Sequence, residues 1–314
     1  MKKRVLVVSS ANMDMVQRIR RVPASGETVL EHRGSYSYVP GGKGANSAIT
    51  MARLGADCVF VCKVGDDANG KILTNLYRAE GIDVRYVIVD GETPTGLASI
   101  LVEESGANRI IVFPGANGTL GADDVEECFN CYPDALYVQF EIPDAAILEA
   151  CAIAHKREIP IFVDAAPARE DFPLEKIGPV EMFSLNENEC AVFTGIDPVN
   201  EENCLRASIK LRGITRAKYV VLKLGARGAF LFDGEEYFSY PAERVKAVDT
   251  TAAGDVFTAA LTTYYVNHGN IGAAIRFGNA AAGLSVSRPG ASTSIPTLEE
   301  LAEYKREKEE RENS

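Results

Sequence analysis

"RVLVVSS", residues 4–10, is a short apolar run rich in valine near the start of a chain of 314 residues. It lacks the alternation of apolar and polar side chains of a half-exposed strand, and such runs are typical of strands covered on both faces. The preceding "MKK" imitates the basic start of a signal peptide, but the apolar stretch at 5–8 is far shorter than the hydrophobic region of such a peptide. We interpret the run as the first buried strand of a sheet.

Similar apolar runs recur along the chain and alternate with stretches of helical periodicity. The strand-like runs cover residues 4–10, 58–65, 135–141, 160–166, 182–186 and 219–225. The helical stretches cover residues 46–55, 71–81, 145–158 and 204–213, and several of them end at glycine, a common helix terminator. This alternation predicts an α/β fold, with a mostly parallel central sheet covered by helices on both faces.

Two regions interrupt the alternation of strand and helix. Residues 12–40 and 93–113 hold segments such as "SYSYV" and "RIIVF" at hairpin-like spacing, which predicts a small β-sheet lid added to the main sheet. No internal repeat, low-complexity tract or long linker divides the chain, so we expect residues 1–304 to form a single domain. Residues 305–314 are expected to form a charged C-terminal tail.

The chain is acidic. It carries 33 Lys and Arg against 44 Asp and Glu, which gives a formal net charge of −11, and 46% of its residues are hydrophobic. Nucleic acids and anionic membranes are bound by clustered basic residues, so this charge argues against both kinds of partner. The hydrophobic content is ample for a packed core. We therefore expect a globular protein whose partners are small molecules.

The cysteines and histidines do not favour a metal centre. Seven cysteines are scattered at positions 58, 62, 128, 131, 151, 190 and 204, a pattern that favours buried thiols in a reducing cytoplasm over disulfides. Cys128 and Cys131 form a CxxC pair, but no second pair or histidine follows at zinc-binding spacing. The three histidines are far apart, and no HExxH or GxSxG motif occurs, so nothing supports a zinc protease or a serine hydrolase.

The stretch "DTTAAGD", residues 249–255, places two carboxylates around small residues immediately before an apolar run. A helix N-terminus explains one aspartate, because Asp and Thr cap the free N–H groups there. It does not explain Ala252, Ala253 and Gly254, which clear space so that backbone N–H groups can approach an anion. If that anion is a phosphate being transferred, Asp255 is placed to accept a proton.

A second glycine-rich stretch, "PGGKGANSA", covers residues 40–48. It is not a Walker P-loop, because its lysine is not followed by serine or threonine at the required position. On its own it can be a turn that caps the following helix. It can equally be a loop whose glycines let a ligand approach the backbone while Lys43 and Asn46 contact hydroxyls or a phosphate.

Polar side chains follow the strands, at the edge where open α/β sheets bind ligands. Asn12 and Asp14 follow the first run and Glu141 follows the third, whereas "NENE" (186–189) and "GARG" (225–228) follow later runs. The N-terminal half therefore offers groups that hold hydroxyls, and the C-terminal half offers amides and glycine-rich turns. We infer a polyol acceptor on one side and a nucleotide on the other.

Taken together, "NMD", "GGKGAN", "VGDDANG", "NENE", "LGARG" and "DTTAAGD" occur in the order and spacing of the ribokinase-like, or PfkB-type, carbohydrate kinases. The chain resembles this family from about residue 4 to about residue 298. "GGKGAN" and "DTTAAGD" are the two family signatures, and both are present. The resemblance implies a ribokinase-like fold and the transfer of a phosphoryl group from ATP to a sugar.

The resemblance also implies roles for individual residues. Asp255 would be the catalytic base, and the N–H groups of residues 252–255 would form an anion hole for the transferring phosphoryl group. The sugar-binding positions of the family are matched by Asn12, Asp14, Gly42, Lys43, Gly44, Ala45, Asn46, Glu141 and Asp255. The nucleotide-binding positions are matched by Asn186, Lys223, Leu224, Gly225, Ala226, Arg227, Gly228, Ala253, Gly254 and Asn279. Lys223 stands where related enzymes often carry a small hydroxyl residue.

Two metal ions are implied by the same resemblance. Glu189 would help to organise Mg²⁺ through water. An oxygen cage for a monovalent cation would be formed by Asp249, Thr251, Ser285, Arg288, Gly290 and Ser294. One carboxylate among many neutral oxygens suits K⁺ better than Mg²⁺, which demands compact octahedral geometry. The alternative is that Asp249 only caps the helix that follows.

The expected reaction is transfer of the γ-phosphate of ATP to the 5-hydroxyl of D-ribose, because "NMD" together with "GGKGAN" favours ribose within the family. Deoxyribose, fructose, a sugar acid or adenosine stays open as the acceptor. Lids of relatives pair between subunits, which implies a homodimer.

Outside the family, a Rossmann dehydrogenase would need GxGxxG after the first strand, where "SSANMD" stands. A catalytically silent sugar-binding protein could keep the fold, but the intact Asp255 and anion-hole sequence argue against it.

Overall fold

The computed structural model of the chain describes residues 2–32, 34–105 and 107–312. Its strands are β1 (Arg4–Val8), β2 (Asn12–Ile19), β3 (Tyr36–Gly41), β4 (Asp57–Gly65), β5 (Val87–Asp90), β6 (Gly96–Glu103), β7 (Asn108–Phe113), β8 (Ala135–Gln139), β9 (Ile161–Asp164), β10 (Met182–Asn186), β11 (Tyr219–Lys223), β12 (Ala229–Phe232) and β13 (Tyr237–Tyr240). The strands form two sheets, a large one and a small one.

The helices lie between the strands of the large sheet and after them. They are α1 (Lys43–Arg53), α2 (Ala68–Ala79), α3 (Asp123–Glu126), α4 (Asp144–Lys156), α5 (Glu187–Thr194), α6 (Glu201–Thr215), α7 (Ala253–His268), α8 (Ile271–Val286) and α9 (Leu298–Glu312). Many start at a polar residue that caps them: the side chains of Asp67, Asn186, Asn200 and Asn270 each accept a backbone N–H from the first turn.

The large sheet has the strand order β13-β12-β11-β10-β9-β8-β1-β4-β5. All neighbouring pairs from β11 to β5 are parallel, and β12 and β13 form an antiparallel edge. Parallel neighbours need crossover connections, which here are mostly helical. The carboxyl ends of the parallel strands therefore meet along one edge, and the segments that follow them are brought together there.

Side chains of the central strands alternate between two apolar cores. In β1, Leu6 and Val8 pack into a core shared with α4 and α6, whereas Val5 and Val7 pack into a core shared with α1, α7 and α8. All four side chains are buried. Burial on both faces explains why the strand sequences are continuously apolar, and it holds the carboxyl edge of the sheet on a rigid support.

The small sheet has the order β3-β2-β6-β7 and corresponds to the predicted lid. β2 pairs with β3 in antiparallel and with β6 in parallel orientation, and Asn12 at its start lies opposite Gly41 and Gly96. Because β2 begins four residues after β1 ends, the lid is attached directly to the carboxyl edge of the large sheet. Its outer strand, β7, exposes every side chain along its length.

The predicted α/β fold, with a mostly parallel sheet and a β-sheet lid, is confirmed. The sequence did not predict β5, β12 and β13, which have only four residues each. Strands this short carry too little periodic signal, and two of them form an edge hairpin outside the alternation of strand and helix. The described part of the charged tail, residues 305–312, continues α9, and the division into a domain and a tail stays a prediction.

All seven cysteines are free and buried, in agreement with the expectation of buried thiols. Burial raises the pKa of the Cys128 thiol to about 12 and that of Cys131 to about 11. In residues 2–32, 34–105 and 107–312, no group of three or more His, Cys, Asp or Glu side chains is arranged to hold a metal ion. None of the helices in this described part combines the length and apolar character needed to cross a bilayer.

Candidate active site

The first turn of α7 leaves backbone N–H groups available to a ligand. Ala252, at the N-cap, adopts a left-handed conformation with φ of 62°, which turns the chain into the helix. The Ala253 N–H donates to the Thr250 carbonyl at 3.2 Å. Within the part of the chain that the structure describes, the N–H groups of Gly254 and Asp255 have no protein acceptor. Free N–H groups at a helix N-terminus form a site for an anion.

Asp255 lies in this first turn with a buried side chain. Its Oδ2 accepts a hydrogen bond from Asn46 Nδ2 at 2.9 Å, which joins α7 to α1. Burial raises the pKa of Asp255, the charge of Lys43 lowers it, and the charge of Asp164 raises it. The net shift is upward, which makes the carboxylate a stronger base than an exposed aspartate.

Glycines bring the first turn of α1 against the end of β1. Gly42 has φ of 92°, and a Cβ atom there would lie 2.7 Å from the Asn12 backbone nitrogen. At Gly44 a Cβ atom would lie 2.4 Å from Ser9 Cβ. Side chains cannot be accommodated at these distances, so both positions require glycine. The close approach places Lys43 and Asn46 beside the first turn of α7.

Two carboxylates lie on the N-terminal side of the cleft. Glu141 Oε2 accepts the Lys43 N–H at 3.1 Å and Asn12 Nδ2 at 3.5 Å. Asp14 packs against Gly41, where a Cβ atom would come within 2.1 Å of its Oδ2. Burial raises the pKa of Asp14 to about 7, with a further contribution from the charge of Glu141. The two carboxylates can accept hydrogen bonds from hydroxyl groups of a ligand.

The charge of Lys43 balances these acids. Asp255 has the largest effect on its pKa, which is raised despite the partial burial of the ammonium group, and Glu141 raises it as well. The ammonium group is therefore held positive between the carboxylates of the cleft. A cation at this position favours a ligand that carries or develops negative charge.

Two residues that the sequence does not single out, Ser10 and Asn117, order this side of the cleft. Ser10 Oγ donates to Glu141 Oε2 at 2.5 Å. Asn117 Nδ2 donates to Asn12 Oδ1 at 2.7 Å, and its Oδ1 accepts the Ala11 N–H at 2.9 Å. Ser10 lies within the quoted "SSANMD", so its strand-end position could have suggested it. Asn117 lies in a 3₁₀ turn 105 residues away from Asn12, and nothing local in the sequence marks it.

Asn186 and Glu189 form a reciprocal capping box at the start of α5. Asn186 Oδ1 accepts the Glu189 N–H at 2.9 Å, and Glu189 Oε2 accepts the Asn186 N–H at 2.7 Å. Glu189 is buried, which raises its pKa, while the charge of Lys223 lowers it. The two side chains thus cap the N-terminus of α5. This capping does not exclude a second role, because the same carboxylate lies within the electrostatic reach of Lys223 and Asp164.

The glycine-rich turn after β11 is closed by its own backbone. The Leu224 N–H donates to the Gly228 carbonyl at 2.8 Å, and Gly228 has φ of 95°. The Arg227 side chain reaches Glu187 Oε1 at 2.6 Å. Asn279, in α8, donates from Nδ2 to the Pro241 carbonyl at 3.0 Å. Because Arg227 is bonded to Glu187, the turn can contact a ligand through its backbone and not through the arginine side chain.

The Lys223 side chain points into the protein interior, where it forms an ion pair with Asp164. Its ammonium group donates to Asp164 Oδ1 at 2.5 Å and to Thr258 Oγ1 at 3.3 Å. The Lys223 side chain is 10% exposed and that of Asp164 is 0% exposed. Asp164 ends β9 inside the apolar run at residues 160–166, but a lone aspartate at a strand end gives no reason to select it.

The two segments expected to form the monovalent cation site are in contact. Asp249 Oδ2 accepts the Gly290 N–H at 3.0 Å, and its Oδ1 accepts the Thr251 N–H at 2.9 Å. Ser285 Oγ lies 2.7 Å from Ser294 Oγ. Arg288 lies in the same turn, where its N–H donates to the Ser285 carbonyl at 3.0 Å. The loop that precedes α7 is therefore tied to the segment that follows α8.

Comparison with known proteins agrees with this geometry. The family model of the pfkB family of carbohydrate kinases matches residues 2–298. The chain belongs to this family.

Among relatives in this carbohydrate kinase family, ribokinase of Haemophilus influenzae is 34% identical over 308 residues, which cover 97% of this chain and 99% of that protein. A bifunctional ribokinase/ribose-5-phosphate isomerase A of Fructilactobacillus sanfranciscensis is 35% identical over 305 residues; the match covers 95% of this chain and 55% of the length of that relative. The solved structure of Arabidopsis thaliana ribokinase complexed with ribose and ATP superposes with a TM-score of 0.89 at 31% identity, covering 97% of this chain and 99% of that one.

The two family signatures meet in space although they lie about two hundred residues apart. Asn46 of "GGKGAN" contacts Asp255 of "DTTAAGD", and Glu141 contacts the first turn of α1. The glycine-rich turn and Asn279 lie with α5 and α8 on the C-terminal side. The arrangement can hold a polar ligand between Asp14 and Asp255 and can receive an anion at the first turn of α7, which suits transfer of a phosphoryl group.

Proposed function

We propose that this pfkB-family protein transfers the γ-phosphate of ATP to the 5-hydroxyl of D-ribose. The observation that carries the proposal is the contact between Asp255 and Asn46, which brings a buried carboxylate in the first turn of α7 against α1 and supports its role as the base. The names of the relatives, ribokinases of high coverage, support ribose as the acceptor.

In this proposal the sugar lies among Asn12, Asp14, Lys43, Asn46 and Glu141. Residues 42–45 contribute mainly backbone, since Gly42 and Gly44 leave no room for side chains. Carboxylates and amides accept and donate hydrogen bonds to hydroxyls, and each unmatched hydroxyl of a wrong sugar leaves a buried polar group unpaired. The pocket therefore both orients the sugar and selects it.

Asp255 accepts the proton of the attacking hydroxyl. A carboxylate within hydrogen-bond reach of an alcohol contributes about 10²- to 10⁴-fold to such a step. The N–H groups of Gly254 and Asp255 face the transferring phosphoryl group, whose equatorial oxygens carry the charge of the transition state. The small residues 252–254 permit this approach, and the Ala253 N–H, already bonded to Thr250, acts less directly.

On the nucleotide side, Asn186, residues 224–228, Ala253, Gly254 and Asn279 border ATP. Mg²⁺ would enter with ATP and neutralise charge on its phosphates. Glu189 fits this role, because it is a buried carboxylate near Asp164, and a divalent cation offsets the repulsion between them. Both of its oxygens already accept hydrogen bonds from Asn186, so it would hold the ion through water.

A monovalent cation, K⁺, is proposed for the site formed by Asp249, Thr251, Ser285, Arg288, Gly290 and Ser294. The contacts of Asp249 with Thr251 and Gly290, and of Ser285 with Ser294, support it by bringing the two segments together. One carboxylate among neutral oxygens matches the preference of a large monovalent ion. The ion would order the loop before α7 without contacting the substrates.

We also propose a homodimer formed by the lids. The outer strand β7 is an open sheet edge, and its residues Ile110, Ile111 and Phe113 are each more than half exposed. An apolar, unpaired edge strand is favourable for pairing with another copy. The acidic charge and the buried thiols support a cytoplasmic protein whose partners are ATP and a small sugar, without a nucleic acid or a membrane.

The test is ATP turnover with Mg²⁺ and K⁺ across ribose, deoxyribose, fructose, a sugar acid and adenosine. We expect kcat/KM for ribose to exceed the others by about tenfold or more, which corresponds to about 1.4 kcal/mol. The position of the phosphate on the product is read by NMR. A higher kcat/KM for another acceptor would refute ribose and keep the kinase; no turnover with any of them would refute the kinase.

A further inference from the structure

The last residue of β11 carries its ammonium group beneath the first turn of α7. A Cβ atom on Gly254 would lie 3.5 Å from Lys223 Nζ. The group is bonded to Asp164 and Thr258, and both Lys223 and Asp164 are buried. A buried cation whose hydrogen bonds are taken up by the protein is held in one place. Lys223 thus points to the interior side of the anion-binding turn.

Further hydrogen bonds extend this pair in both directions. Thr258 Oγ1 donates to the Gly254 carbonyl at 3.1 Å, inside the first turn of α7. On the other side, Tyr137 OH donates to Asp164 Oδ2 at 3.5 Å and lies 3.2 Å from Ser47 Oγ in α1. A continuous buried polar chain therefore runs from α1, through β8, β9 and β11, to α7. It joins the two helices that carry the family signatures.

We infer that Lys223 is a positioning residue: with Asp164 it supports the first turn of α7 from the sheet side, and it does not bind the nucleotide directly. This inference rests on the phosphoryl transfer proposed above. The ammonium group lies under N–H groups that face the transferring phosphoryl group, so its charge adds to the helix dipole at that point.

The same pair acts on the ionisation of Asp255. The charged groups that face Asp255 are Lys43 from α1, Asp164 from β9, Lys223 from β11 and Asp14 from β2. After burial, which raises the pKa of Asp255, Lys43 and Lys223 lower it and Asp164 raises it. A general base must be ionised, so activity falls as the pH drops through this pKa. Loss of Lys223 moves that limb to higher pH, and loss of Asp164 moves it to lower pH.

The experiment compares the parent with Lys223→Met, Asp164→Asn and the double variant, by kinetics from pH 5 to 9 and by calorimetric titration with ATP. We expect the acid limb of kcat to move by about one pH unit, a tenfold change in proton affinity, upward in Lys223→Met and downward in Asp164→Asn. The double variant should lie between them. At the pH optimum kcat should fall about tenfold or more in Lys223→Met and in the double variant, while the Kd for ATP stays within about twofold of the parent.

The matched control is the pair Lys218 and Glu181, which is bonded at 2.6 Å next to the start of β11 and whose lysine is exposed. Lys218→Met should leave the pH profile unchanged. A Kd for ATP that rises more than tenfold in Lys223→Met, or an acid limb that does not move, would refute the inference. If Lys223→Met does not fold, the double variant provides the test, because it leaves neither member of the pair as an unpaired buried charge. A kcat equal to that of the parent in the double variant would refute the positioning role. A parent without activity on ribose refutes the proposed reaction instead.

Discussion

At the scale of single residues, the cleft concentrates carboxylates whose pKa is raised by burial. Asp14 and Asp255 both have raised pKa values, and Lys43 is held positive between them and Glu141. Perturbed groups of this kind cost stability and serve function, because a base of raised pKa accepts a proton more readily.

Asp255→Asn keeps the shape of the side chain and removes the base. We expect kcat to fall by about 10²- to 10⁴-fold, with the Kd for ATP and the far-ultraviolet circular dichroism spectrum close to those of the parent. Steady-state kinetics and calorimetry measure these quantities. Turnover near the parental rate would show that Asp255 only caps α7, which is the alternative that a helix N-terminus always offers.

Asp14→Asn should stabilise the ligand-free protein and weaken sugar binding. The pKa of Asp14 is about 7 in the folded protein against 3.8 ordinarily, so the folded state binds this proton more tightly. The free energy of unfolding therefore falls as the pH rises from about 4 to about 7, and the loss is complete above pH 7. At pH 8 the variant should be more stable by about 1 kcal/mol or more, with a KM for ribose raised at least about tenfold.

Thermal melting at pH 4.5 and pH 8 checks this linkage. The gain in melting temperature should be present at pH 8 and small at pH 4.5. The exposed Asp171 provides the control, since Asp171→Asn should show no such pH-dependent difference. An Asp14→Asn variant that melts below the parent at pH 8 would contradict the burial argument.

The sequence singles out polar groups that line the cleft more readily than the groups that hold them in place. Asp255, Asn46 and Glu141 were selected because their residue types and spacing match a chemical need, and the structure brings them together. Asp164 and Asn117 were not selected. They act through neighbours that are distant in sequence, and only the packing of the sheet decides which strand-end groups become neighbours.

At the scale of elements, the start of α1 depends on how closely its backbone approaches β1. Gly44 donates its N–H to Ser10 Oγ at 3.3 Å, and a Cβ atom at this glycine would lie 2.6 Å from the Ser10 nitrogen. We expect Gly44→Ala to displace α1, to destabilise the protein by about 1–3 kcal/mol, and to raise the KM for ribose more than tenfold. Urea unfolding and kinetics measure both effects.

Gly213→Ala is the matched control for this change. Gly213 lies within α6, and a Cβ atom there would have no neighbour within 4 Å. Alanine in an open helical position should be neutral or stabilise by up to about 1 kcal/mol. Equal effects of the two substitutions would mean that the close approach of α1 is not required.

The loop before α7 gives a prediction about the monovalent ion. With saturating Mg·ATP and sugar, turnover should be several-fold higher in K⁺ than in tetramethylammonium at equal ionic strength, with Na⁺ giving a lower rate than K⁺. Asp249→Ala should abolish this dependence and leave the Kd for ATP within about twofold. Asp233→Ala is the control, because Asp233 also accepts backbone N–H groups in an exposed turn. Identical rates in all three cations for the parent would remove the ion from the proposal.

Elements were predicted where the chain repeats one pattern. The runs at 135–141 and 182–186 are long enough, and apolar enough, to mark buried strands, and the structure contains β8 and β10 there. β12 and β13 were not predicted because an antiparallel hairpin needs no crossover helix and so falls outside the alternation of strand and helix, although β12 itself is buried along its length. β12 pairs with β11, and β13 pairs with β12. Local propensity does not report such pairing.

At the scale of the whole molecule, the lid is the surface where a second copy would bind. We expect the protein to sediment as a dimer, at about twice its mass of 33.9 kDa. Ile111→Glu places a charge on the exposed edge of the lid and should yield a monomer. Ile209→Glu changes an equally exposed isoleucine on α6, and it should leave the dimer intact. A parent that sediments as a monomer at working concentration would contradict the pairing.

The buried thiols give this molecule a built-in reporter of its own opening. Because all seven are free and enclosed, an alkylating reagent can modify them only in molecules that have transiently opened, and the thiols are divided between the two cores. Mass spectrometry of pulse-labelled protein would then resolve which half of the interior opens first. Bound sugar or nucleotide would slow the labelling to the extent that each ligand stabilises the closed, folded state.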